Sequence, residues 1–132
     1  MKYLLDSNAV ISLLKDSRTS LAQRVRLCRP QEVAISSIVT HELYYGAYKS
    51  QRQQHNLPVI DKLHFEVLPF DQEDARQAGL VRAQLNLQGT PIGPYDALIA
   101  GQALARNLTL VTHNTGEFSR VQGLRWEDWE QP

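Results

Sequence analysis

Tyr3–Leu14, YLLDSNAVISLL, sets a short apolar run, one carboxylate and a second apolar run in immediate succession. The first run, within KYLLD, has the length of a buried strand ending at Asp6. AVISLLKD has the spacing of a helix, which Ser7 or Asn8 can cap. Asp6 then stands at the C-terminal end of a strand. Such a carboxylate is either a cap for the following helix or a functional acid at the edge of a sheet.

Working outward, residues 20–29 read as a second helix, EVAIS as a second strand and SIVTHELYYGAYKSQ as a third helix carrying Glu42. The Gln-rich SQRQQHN reads as a join before a helical segment across Leu57 to Phe65. FEVLPF is a third strand. Asp71 is placed to cap QEDARQAGLVRAQLNLQ, whose acidic first turn suits the helix dipole, and Gly89 ends it. GTPIGP is a turn of helix breakers, and Pro94 suits the first turn of YDALIAGQALARN. LTLVT is a fourth strand, HNTGEF a polar turn, and GLRWEDW a short strand or coil.

Strands alternating with helices imply right-handed βαβ crossovers and an α/β fold. The expected architecture is a central, mostly parallel sheet of four to five short strands flanked by helices on both faces. No repeat or linker divides the 132 residues, which suit a single domain over 1–132. In such sheets the site lies beyond the strands' C-terminal ends. Asp6 and the THN of residues 112–114 both fall on that edge.

Composition narrows the chemistry. No apolar stretch approaches the roughly 18 residues of a membrane span, and the N-terminus has no signal-like segment, so a soluble cytoplasmic protein is expected. Cys28 is the single cysteine and reads as a small hydrophobe. The histidines, His41, His55, His64 and His113, lack zinc-site spacing. Fourteen basic residues balance fourteen acidic ones, so no global field advertises nucleic acid. Lys15, Arg18, Arg24, Arg26 and Arg29 nevertheless cluster, either as a solvated helix face or as a patch for an RNA backbone.

Three acids look misplaced for solvated charges. Glu42 shares a helix face with Ile38, Val39 and Tyr45, and Asp96 shares one with Ile99, Ala100 and Ala103. Asp6 ends an apolar strand. A buried unpaired carboxylate costs several kcal/mol unless a cation or donors satisfy it. Capping can account for Asp6, the helix dipole for Asp96 and an arginine such as Arg82 for Glu42. Together, with no inward lysine run to match them, the three favour one shared cation. Oxygen ligands without cysteine or clustered histidine select a hard ion, Mg²⁺ or Mn²⁺, which suits phosphodiester hydrolysis.

LLDSNAVISLL resembles the opening of PIN-domain proteins, and ISSIVTHELYYGA resembles their second acidic motif. IGPYDALIAGQALARNLTLVTHNTGEFSRVQGLRWEDW resembles the C-terminal half of VapC-type toxins. The likeness runs over nearly the whole chain in order and spacing. It implies a PIN fold and a Mg²⁺- or Mn²⁺-dependent endoribonuclease, the translation-inhibiting toxin of a type II toxin–antitoxin pair. It further implies a homodimer held inactive by a VapB-type antitoxin, with operator DNA met only through the antitoxin complex. RNA is the implied substrate, with tRNA the first candidate.

Matched by motif, Asp6 and Asp96 would be the metal ligands, and Glu42 would complete the catalytic cluster or orient a water. One position departs from the broader family: where many members carry an acid after VT, this chain has Asn114. Glu117 could compensate if the turn folds back. Ser7 and Asn8 could hydrogen-bond a ligand or a water, and Arg82 could balance the pocket or hold a phosphate. Tyr45 and Tyr95 are expected to pack in the core with a wet hydroxyl, stacking on an unpaired base being the alternative.

Two rival readings are distinguishable. A phosphatase of the Asp-x-Asp kind would need an acid where Asn8 stands. A catalytically silent PIN scaffold that binds RNA or a protein would be consistent with Asn114.

Overall fold

The computed structural model describes residues 1–131; Pro132, the last residue of the expected domain, lies outside them. Strands Tyr3–Leu5 (β1), Val33–Ser36 (β2), Glu66–Leu68 (β3), Thr109–Val111 (β4) and Trp126–Glu127 (β5) form one sheet in the order β3-β2-β1-β4-β5. Every pairing is parallel. Leu4, Leu5, Ala34, Ile35 and Leu110 are fully buried. Parallel strands covered on both faces require such unbroken apolar runs.

The helices are Ser7–Lys15 (α1), Ser20–Leu27 (α2), Ser37–Lys49 (α3), Gln53–Asp61 (α4), Gln72–Leu87 (α5), Pro94–Ala105 (α6) and Thr115–Phe118 (α7). From β1 the chain steps outward to β2 and β3, then returns through α5 and α6 to place β4 on the other side of β1. The strand order therefore reverses between β1 and β4. Open parallel sheets carry their ligand crevice at such a switch point.

The antiparallel-looking sequence neighbours α5 and α6 pack closely. A Cβ on Gly101 would lie only 2.4 Å from the backbone nitrogen of Ala78, so the two helices meet where α6 has no side chain. Beside that contact the buried Asp74 accepts hydrogen bonds from Gln102 and Arg106, both at 3.0 Å. This network fixes the return path from β3 to β4.

Three local expectations change. Asp6, not Ser7 or Asn8, caps α1: its backbone is extended and its Oδ1 accepts from the Ala9 N–H, so the helix starts at Ser7 itself. Helix α4 begins inside the Gln-rich join and ends before Phe65. Glutamine is a good helix former, and the apolar residues alone place this element too late. HNTGEF contains a helical turn, α7, rather than only a loop. Among the described residues no helix is long and apolar enough to cross a membrane.

Candidate active site

Asp6 follows β1 and Thr112 follows β4, so the two meet across the switch point. Asp6 is 3% exposed. Its Oδ1 accepts from the Ala9 amide at 2.8 Å, and its Oδ2 accepts from Thr112 Oγ1 at 2.6 Å. The carboxylate is thus oriented by a helix N-terminus on one side and a hydroxyl on the other. Each oxygen keeps a further lone pair, so capping and ligation are compatible. Burial lifts the Asp6 carboxyl above its ordinary range, the Thr112 and Ala9 donors oppose that, and the charges of Glu130 and Glu42 reinforce it.

Glu42 reaches the same place from α3, which leaves β2 directly through the Ser36 cap. Its Oε1 accepts from Ser7 Oγ at 2.6 Å, linking the start of α1 to α3. Ser7 therefore acts on Glu42. Asn8 is exposed and lines the neighbouring groove.

Asp96 lies in the first turn of α6, behind Pro94. Its carboxyl is pushed up to about 7 by burial first, then by contact with Glu117 and by the charges of Glu117, Asp6 and Glu42. Asn114 donates its backbone N–H to Thr112 Oγ1 and its side-chain N–H to Glu117 Oε2, both at 3.0 Å. The turn does fold back, and Glu117 stands against Asp96 in hydrogen-bonding contact.

Five carboxylates, Asp6, Glu42, Asp96, Glu117 and Glu130, thus share one electrostatic neighbourhood. Among the described residues no lysine or arginine forms an ion pair with any of them. Arg82 is exposed on α5 and does not pair with Glu42 or the other acids, because α5 turns that residue outward. These acids offer hard oxygen donors without a protein counter-charge, the kind a divalent cation such as Mg²⁺ takes, but no three of them bring donor atoms within 4.8 Å of one another; among the described residues His113, Asp128 and Glu130 do.

Several side-chain pairings around the site had no sequence signal. Thr112 was legible only as a strand end, not as the partner of Asp6. His113 Nδ1 lies 2.9 Å from Asp128 Oδ2 and 3.7 Å from Glu130 Oε2. Glu130 Oε1 also accepts from Ser12 Oγ at 3.2 Å, so the C-terminal segment is tied back onto α1. Of the basic cluster, Arg18 pairs with Asp16, and Arg24 pairs with Glu127 while lying 4.8 Å above the Trp129 ring. Lys15 instead lines the groove of about 610 Å³ that runs past Ser7 and Glu42 between α1, α3 and α4.

Tyr45 and Tyr95 do not pack in the core. They are 61% and 46% exposed. The buried stripe of α3 is Val39, Leu43 and Ala47, and Tyr45 lies well around the helix from it.

The sheet and its acids define a class: an α/β enzyme with a carboxylate centre where the strand order of a parallel sheet reverses. The PIN domain model matches residues 3–124. The chain is 44% identical over 131 residues to a tRNA(fMet)-specific endonuclease VapC of Shigella flexneri, covering 98% of both chains. It is 36% identical over 132 residues to Ribonuclease VapC1 of Haemophilus influenzae strain R2866, again covering 98% of each. The crystal structure of DNA-bound VapBC from Salmonella typhimurium superposes with a TM-score of 0.92 at 42% identity, covering 98% of both chains. The chain belongs to the PIN-domain family, in its VapC ribonuclease branch.

Proposed function

We propose that this chain is a Mg²⁺-dependent endoribonuclease toxin, with Mn²⁺ able to substitute, that cleaves tRNA and so inhibits translation. The observation that carries the reading is the grouping of Asp6, Glu42, Asp96 and Glu117 at the switch point without a cationic partner; burial first, and then these neighbours, lift Asp96 to about 7. Asp6 and Asp96 would hold the ion. Bound there, it would polarise a phosphate oxygen and make water a stronger nucleophile at neutral pH.

The protein groups supply orientation. Thr112 and the α1 N-terminus fix Asp6, and Ser7 fixes Glu42 so that it can orient the attacking water. Attack in line with the scissile bond releases a 3′-hydroxyl. Glu117 supplies the charge that Asn114 lacks, and Asn114 holds Glu117 in place. This favours catalysis over the silent-scaffold reading, which rested on Asn114.

The tRNA substrate is supported by the names of the similar proteins from Shigella flexneri and Salmonella typhimurium, both tRNA(fMet)-specific endonucleases. A VapB-type antitoxin is supported by the VapBC complexes of similar fold, and operator DNA would be met through that complex. The groove beside Glu42 would receive the antitoxin's C-terminal segment. A homodimer working in the cytoplasm completes the proposal.

The test is cleavage of a tRNA pool by purified wild-type chain and by Asp6→Asn, each with Mg²⁺ and with excess EDTA. Discrete fragments are expected only from wild type with metal. Equal fragmentation in EDTA would remove the metal mechanism, and equal fragmentation by Asp6→Asn would remove the assigned site.

A further inference from the structure

We infer that His41, Tyr45 and Tyr95 form a stacking site for one unpaired nucleobase beside the scissile phosphate. The inference rests on the ribonuclease reading and extends it to how the site grips its substrate. A recess of about 470 Å³ is lined by His41, Glu42, Tyr45 and Tyr95. The His41 and Tyr95 rings stand with centroids 5.5 Å apart at 49°, and Tyr45 contributes an exposed ring from the next turn of α3.

The recess shares Glu42 with the acidic centre. Glu42 is at once its wall and the acceptor of Ser7, while Tyr95 directly precedes Asp96. A base seated there would leave its own phosphate next to the carboxylates. Lys49 Nζ lies over the Tyr45 ring, 5.4 Å from its centroid, so one face of that ring carries a cation and a base would stack on the other.

Tyr48 is also exposed but does not line the recess, and two other tyrosines have internal partners. Tyr3 packs edge-on against Trp129 at 4.8 Å, and the Tyr44 hydroxyl bonds Asp61. Tyr45 and Tyr95 have neither a core partner nor a hydroxyl bond among the described residues, and both flank acids of the site. Sequence-specific RNA proteins hold splayed bases against tyrosine and histidine planes in this manner. Stacking of this kind contributes roughly 1–3 kcal/mol per base, or about five- to 150-fold in affinity.

The experiment has two arms. In the first, a short unstructured RNA carrying one 2-aminopurine is bound to the Asp6→Asn chain, which does not need to cut it. We expect the fluorophore to be quenched on binding. Tyr95→Leu and Tyr45→Leu added to that chain should each weaken binding about tenfold and abolish the quench, whereas Tyr95→Phe and Tyr45→Phe should restore both.

In the second arm the leucine changes are made in the active chain, and cleavage of tRNA is followed. KM should rise with little change in kcat. If wild type cuts no RNA, the ribonuclease reading fails while the binding arm still decides the stacking site. If wild type cuts and the leucine variants bind and cut alike, only the stacking site is overturned. It is equally overturned if Tyr95→Leu changes the oligomeric state while RNA affinity stays the same, since the recess is then an interface between copies.

Discussion

Asn114 donates its side-chain N–H to Glu117 Oε2 at 3.0 Å, and Glu117 in turn touches Asp96. On the proposed reading Glu117 stands in for the acid that Asn114 replaces, and the Asn114 amide positions it. Glu117→Gln should therefore lower the single-turnover cleavage rate by about ten- to 100-fold, the range for groups that tune a metal centre from close by. Asn114→Ala should lose less, and added Mn²⁺ should recover part of that loss. Equal rates for wild type and Glu117→Gln would return Glu117 to the surface.

Thr112 is expected to matter chiefly through Asp6, although its Oγ1 also accepts the Asn114 N–H. Removing its hydroxyl takes away a donor to a buried carboxylate, which raises the Asp6 pKa further. Thr112→Val should shift the acid limb of the pH–rate profile upward, while Thr112→Ser should keep it. Coincident profiles for valine and serine would show that the hydroxyl does not act on Asp6.

The raised pKa of Asp96 sets a stability trend. A group with a folded pKa near 7, above its unfolded value near 4, contributes stability that is full at low pH and lost as pH climbs through 7. Melting of the metal-free chain should accordingly occur at lower temperature at pH 8 than at pH 5.5. Saturating Mg²⁺ should reverse much of this, because an ion that binds only the folded state stabilises it. Asp96→Asn should flatten the trend, and an unchanged slope in that variant would assign it to other groups.

Gly101 tests the packing that brings Asp96 to the site. A methyl group there would meet the Ala78 backbone at 2.4 Å, which only separation of α5 from α6 can relieve. Gly101→Ala should cost about 3 kcal/mol or more in denaturant unfolding, at or above the upper end for overpacking. Gly79→Ala, with open space around it, is the control. Comparable midpoints for the two variants would contradict the close approach.

Legibility in the sequence followed simple rules. Asp6, Glu42 and Asp96 could be found because each interrupts an apolar pattern, and the parallel sheet because strands and helices alternate. The side-chain pairings could not. Thr112 meets Asp6 only because β4 returns beside β1, and Glu117 meets Asp96 only because HNTGEF coils into α7. Tyr45 was misplaced for a related reason: Ile38 and Val39 suggested a wide inward face on α3. The buried stripe is the narrower Val39, Leu43 and Ala47, leaving Glu42 at its edge and Tyr45 outside.

The most direct measurement is Mn²⁺ binding to the RNA-free chain, followed by calorimetry and by the electron paramagnetic resonance of free Mn²⁺. Wild type should bind the ion, Mg²⁺ should compete for the same site, and Asp6→Asn and Asp96→Asn should each lose binding by at least tenfold while remaining folded. Wild type that binds no Mn²⁺, or variants that bind it as tightly as wild type, would contradict a metal centre built on these carboxylates.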